Sequence, residues 1–142
     1  DTAICAAGMA RYGARDAVVK LTSGMFEAAV QCPSRLPELF CGFDRYPGEA
    51  PVAYPVACLP QAWSASAPFM LLQACLGLRL DGASGEIVVE RPRLPIGIDR
   101  LTVRHLQLKG AAVVLHFQRV AGRVACYLDE RFEGSLPLTV KS

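Results

Sequence analysis

Apolar residues in the first part of the chain recur at helical intervals. Between Asp1 and Tyr12, the residues Cys5, Met9 and Tyr12 fall on one stripe, and Asp1 suits the positive end of a helix dipole. Gly13 then supplies a left-handed stop. A second helix is predicted from about Arg15 to Gln31, with Val18, Leu21, Met25 and Ala29 as its apolar stripe. Asp16, Lys20, Ser23, Glu27 and Gln31 form its polar side, and Pro33 ends it. The short link predicts an αα-hairpin of nearly antiparallel helices. A third helix is predicted from Pro60 to Leu78, with Pro60 at a first-turn position and Pro68 as a kink. Its apolar residues run almost all the way round, which predicts burial on every side.

From Arg79 the period changes to two. Ile87-Val88-Val89 lies between Gly85 and Pro92, and Leu101 and Val103 alternate with polar neighbours until the phase slips at His105-Leu106, the mark of a bulge or bend. Val113, Leu115 and Phe117 alternate with Val114, His116 and Gln118. After the turn Ala121-Gly122, Val124, Cys126 and Leu128 do the same. This predicts an antiparallel meander, to which Leu136, Leu138 and Val140 add an edge strand that tolerates Pro137. The expected class is therefore α+β, with a helical part over 1–78 and a small antiparallel β-domain over 79–142.

Between these parts, residues 32–59 hold no sustained period. Pro33, Pro37, Pro47, Pro51 and Pro55, with Gly42 and Gly48 among them, describe a long connection. Such loops inside compact domains are usually functional, and prolines lower the entropy lost on ordering them.

Composition narrows the classes of function. An apolar content of 52% is high for a chain of 142 residues, which predicts that something packs against it. No run approaches the roughly 20 apolar residues of a membrane helix, so no membrane partner is expected. A net charge of +2 with scattered arginines points away from nucleic acid. The six cysteines form no CxxC pair and no short Cys/His spacing, so no metal or cofactor is expected. A disulfide framework stays open on count alone, but several cysteines sit on apolar phases, and a reduced, cytoplasmic setting is the expectation. The opening Asp1-Thr2-Ala3-Ile4, without Met and already in helical pattern, reads as cut from a longer chain.

The chemistry concentrates in Arg35-Leu36-Pro37-Glu38-Leu39-Phe40-Cys41-Gly42-Phe43 and Tyr54-Pro55-Val56-Ala57-Cys58-Leu59-Pro60-Gln61-Ala62-Trp63-Ser64. Glu38 is flanked by apolar residues, an environment that raises a carboxylic acid's pKa when they pack around it. Trp63 offers a stacking face for a sugar ring, and Gln61 offers a donor and an acceptor for hydroxyls. The plainer reading pairs Glu38 with Arg35 or Arg45 and places Trp63 in the core. His105 and His116 have no partners at ligand spacing and read as structural or surface residues. Cys41, beside Glu38, has no histidine near it in sequence.

The two segments, LPELFCGF and then PVACLPQAWS leading into the apolar FMLLQACLGL, resemble the C-terminal part of bacterial glycogen-debranching or amylo-α-1,6-glucosidase-type glycoside hydrolases. The opening DTAICAAGMARYG resembles the helix that precedes them. The resemblance implies that residues 1–78 are the last helices of an (α/α)₆ toroid. It makes Glu38 the general base of an inverting mechanism and puts Gln61 and Trp63 near a sugar subsite. An α-glucan or oligosaccharide is then the substrate. The general acid of that family lies upstream of these residues, and Asp1 does not take its role, so the chain alone is expected to be inactive. Helices that face the rest of the toroid are expected to self-associate as a homodimer. The alternative is a carbohydrate-binding or structural interaction module without catalysis.

Overall fold

The computed structural model describes residues 1–32, 35–44, 46, 48–59, 61–132 and 136–141. Helix α1 spans Thr2–Arg11, α2 spans Arg15–Gln31 and α3 spans Ala62–Leu76. Pro33 and Pro60, predicted to stop α2 and to start α3, lie outside the described residues. None of the helices is long and apolar enough to cross a membrane.

The helices bury different faces from those the large residues suggested. In α1 the buried residues are Ala3 and Ala6, with Ala7 and Ala10 packed beside them, while Cys5 and Met9 are exposed and Tyr12 is 93% exposed. Methyl-sized side chains allow close approach of the neighbouring helices, and that decides the facing stripe. In α2, Val18 is buried and Leu21 and Met25 pack against it, as their spacing predicts. Ser23, predicted to lie on the polar side, is buried as well, because its Oγ accepts the N–H of Ile96 at 2.9 Å. Thr22 Oγ1 is likewise buried and donates to the Val18 carbonyl.

Helix α3 is not buried on every side. Leu71, Ala74 and Cys75 pack on α1 and α2, and Leu76 enters the β-core, but Trp63 is 65% and Phe69 76% exposed. Among the described residues, two other helices and the β-region are set against α3, and these cover one side of it. Pro68 sits inside the helix, where its ring removes the N–H that would bond the carbonyl of Ser64.

The helix ends two residues earlier than predicted. Gly77, at φ 62°, takes the left-handed cap, and Leu78 already belongs to strand β1, Leu78–Asp81. Strand β2, Glu86–Glu90, returns antiparallel to it, and Asp81 Oδ1 accepts the N–H groups of Ala83 and Ser84 across the turn. Strands β3 (Arg100–Leu108), β4 (Ala111–Val120) and β5 (Arg123–Leu128) form the predicted meander. Its bulge falls between Val103 and Leu106, with His105 at φ 56°. Ala121-Gly122 and Lys109-Gly110 each place two successive residues at positive φ, the geometry that matches hairpin twist.

Strand β6, Leu138–Lys141, corrects the prediction of an edge on that meander. It pairs parallel with β2, Ile87 opposite Leu138, so the described strands form two three-stranded sheets. Ile87, Val88 and Val89 are buried, so β2 needs a partner on its remaining edge, and β6 supplies it. Leu94, Leu108, Val113, Leu115, Phe117 and Leu136 complete the core between the sheets.

Helical and β parts meet at the end of α3. Arg15 donates through Nη1 to the Ala74 carbonyl at 2.8 Å and through Nη2 to the Glu90 carbonyl. The N–H groups of Arg93 and Glu90 bond the carbonyls of Cys75 and Gly77. A Cβ at Gly77 would collide with the Glu90 carbonyl oxygen and lie 2.8 Å from Arg15 Nη2. Gly77→Ala is therefore expected to cost about 2–4 kcal/mol, combining left-handed strain with the clash. Urea denaturation checks this, and a loss within about 0.5 kcal/mol would contradict the packing described.

Candidate functional site

The two segments singled out in the sequence meet at the N-terminal end of α3. Ser64, in the first turn, is buried, and its hydroxyl donates to the Pro37 carbonyl at 2.9 Å. The next residue, Glu38, makes two bonds with Cys58. Its N–H donates to the Cys58 carbonyl at 3.0 Å, and its Oε2 accepts the Cys58 N–H at 3.2 Å. Farther out, Cys41 N–H bonds the Val52 carbonyl at 2.9 Å, and Phe40 and Ala53 form an antiparallel bridge. The long connection thus doubles back as a narrow two-armed flap anchored to α3 by Ser64.

Glu38 is half-buried at the base of this flap. Of its apolar neighbours Leu36 is buried, but Leu39 is exposed, so the enclosure expected around the carboxylate is open on one side. Its Oε2 is held by a charge-assisted bond to a backbone N–H, and no described residue bonds Oε1. Arg35 is exposed and makes no ion pair with Glu38. Arg45, the other expected partner, lies outside the described residues.

Gln61 is the N-cap of α3, and its Oε1 accepts the Ala62 N–H at 3.2 Å. The residue picked as a hydroxyl binder thus spends its carbonyl oxygen on the helix end, where an orphan donor must be satisfied. Trp63 is in solvent rather than in the core, with its indole on the outer side of α3. Ser64 was not singled out as a site residue. Its signal was its place one turn into a helix whose other residues are mostly apolar.

Cys41 Sγ donates to the Ala53 carbonyl at 3.6 Å, and both histidines lie on β3 and β4. None of the six cysteines is in a disulfide. Among the described residues, no three His, Cys, Asp or Glu side chains gather where they could hold a metal ion.

His116 has partners that its sequence neighbourhood did not reveal. Nδ1 lies 3.2 Å from Thr102 Oγ1 and Nε2 lies 3.2 Å from Asp129 Oδ2, and the ring stacks on Tyr127 with centroids 5.3 Å apart. These are cross-strand neighbours on the outer face of the meander, opposite the core. Arg131, which bonds both oxygens of Asp129, and then His116 hold that carboxyl well below the usual carboxylate range. A depressed carboxyl stabilises the fold above its unfolded value, and the contribution is lost as pH falls toward the folded one. Stability should therefore decline below about pH 4, and more steeply in the parent than in Asp129→Asn. Urea midpoints measured between about pH 5 and pH 2 test this, and identical slopes would contradict the ion-pair assignment.

A scan against protein-family models finds no match to this chain, and a search of curated proteins finds none either.

Proposed function

We propose that these residues form the C-terminal part of an inverting α-glucosidase of the amylo-α-1,6-glucosidase, glycogen-debranching kind, acting on α-glucans or related oligosaccharides. The observation that carries the reading is the anchoring of the Glu38 segment to the Gln61-Trp63-Ser64 segment through Ser64 and Pro37. It supports treating the two motifs as one site.

In this reading Glu38 is the general base. The Cys58 N–H fixes Oε2, and Oε1 is left to take a proton from the attacking water. Trp63, exposed at the start of α3, stacks on a sugar ring, and Gln61 offers its amide N–H groups to hydroxyls while its oxygen caps the helix. Inversion requires a second carboxylic acid roughly 6.5–9.5 Å from the base, with a water between them. In this reading that acid and most of the toroid's helices are not among these residues, so these residues alone do not cleave the substrate. The six unpaired thiols favour a reducing, cytoplasmic setting.

The exposed Trp63 also favours a second reading, a carbohydrate-binding module without catalysis. Calorimetry and activity separate the two. Trp63→Ala should weaken maltooligosaccharide binding by about tenfold in either case. Glu38→Gln in a protein carrying the missing acid should lower kcat by about 10²–10⁴-fold while preserving binding. Unchanged turnover in Glu38→Gln would remove Glu38 from the catalytic step and leave these residues a binding role only. Hydrolysis of an α-1,6-linked maltooligosaccharide by the 142-residue chain itself, abolished by Glu38→Gln, would overturn its proposed incompleteness.

Phe69, exposed on the outer side of α3, supports self-association of these residues as a two-fold dimer. Light scattering at micromolar concentration should give twice the 15.3 kDa chain mass, and Phe69→Ser should shift it toward monomer. A stable monomer of the parent sequence rejects the dimer.

A further inference from the structure

Arg15 carries a full charge into the junction of α1, α3 and the β1–β2 hairpin, where it is only 7% exposed. Two of its nitrogens donate to the Ala74 and Glu90 carbonyls, and its Nε, also buried, has no hydrogen-bond partner. No carboxylate among the described residues forms an ion pair with it. Carbonyl dipoles offset only part of the cost of burying a cation.

The surroundings add to the deficit. Burial first, and then the nearby Arg91, lower the Arg15 pKa, and Arg93 acts in the same direction. Glu90 opposes them, but its Oε1 is committed to Arg91 at 3.0 Å. Arg79 makes only a loose 3.6 Å pair with Asp81 at the surface, which solvent screens.

A groove of about 390 Å³ opens against Arg15. Arg11, Arg79, Gln73 and Glu90 supply further polar lining, the Glu90 carboxylate being paired with Arg91, and Met70 and Leu78 are among the residues of its apolar wall. Its volume is in the range of small-molecule sites, about 300–1,000 Å³.

We propose that this groove binds a small oxyanion, a phosphate monoester or a carboxylate, carried on a compact apolar body. Arg11 and Arg79 grip the anion at the rim, and its charge supplies the counter-ion that Arg15 lacks. The apolar body lies against Met70 and Leu78. Glu38, Gln61 and Trp63 do not line this groove, so the proposal stands independently of the glucosidase reading.

Arg15 holds the fold together, so Arg11 and Arg79 carry the test. Phenyl phosphate, phenylacetate and neutral benzyl alcohol are titrated into the purified chain by calorimetry at constant ionic strength. Expected is saturable binding of at least one anion at one per chain, about tenfold or more tighter than benzyl alcohol. The double variant Arg11→Gln/Arg79→Gln should weaken it by about tenfold or more, and Arg123→Gln, on the remote β4–β5 hairpin, should leave it unchanged. The tighter of the two anions assigns phosphate or carboxylate. The proposal is overturned if neither anion saturates, if benzyl alcohol binds equally well, or if the double variant, shown folded by circular dichroism, binds undiminished.

Discussion

The C-terminal end of α3 is the joint on which the rest of the molecule depends. A helix ends with carbonyl groups that lack internal partners and carry the negative end of the dipole. Here those groups are answered from outside the helix. Arg15 of α2 takes the Ala74 carbonyl, Arg93 N–H takes that of Cys75, and Glu90 N–H takes that of Gly77. One guanidinium thus touches α3 and β2 from the start of α2, and fixes how the helical layer sits on the sheets. Gly77 allows this, since any side chain there would occupy the space of the Glu90 carbonyl and the guanidinium.

That joint shapes both ends of α3 differently. At its C-terminal end Leu72 and Leu76 enter the β-core, and the backbone is bonded on several sides. At its N-terminal end the helix is tied to the flap through Ser64 and Pro37, and Trp63 stays in solvent. The candidate site therefore sits at the less constrained end of a well-anchored helix. The flap gains order from the paired Glu38–Cys58 bonds and from its prolines, which reduce the freedom lost when it is held in place. The carboxylate is positioned chiefly by backbone groups, so its placement depends on the path of the flap more than on neighbouring side chains.

Much of the fold was legible along the chain. The two helices after Asp1 and Arg15, the bulge at His105, the turn at Ala121-Gly122 and the alternation of β4 and β5 all follow from local periodicity. So did the long connection and the two segments holding Glu38 and Trp63. The faces that pack were less legible. Periodicity weights large side chains, so Met9 and Tyr12 outranked Ala3 and Ala6, although close helix contact favours the alanines. Ser23 read as a polar-side residue because polarity alone does not reveal a partner such as the Ile96 N–H, and nothing local marked Arg15 as the partner of the Ala74 carbonyl.

By itself the sequence determined element type, order and approximate bounds, together with the chemical character of the Glu38 region, because these rest on interactions within a few residues. Tertiary structure alone decided what lies many positions apart. It turned β6 from an edge of the meander into a parallel partner of β2, across the whole β3–β5 excursion. It joined Pro37 to Ser64, put Trp63 in solvent, and gathered Arg11, Arg15 and Arg79 around one groove. Hydrogen-bond demand on a strand edge or a helix end is set locally, but which distant group meets it depends on how the whole chain closes.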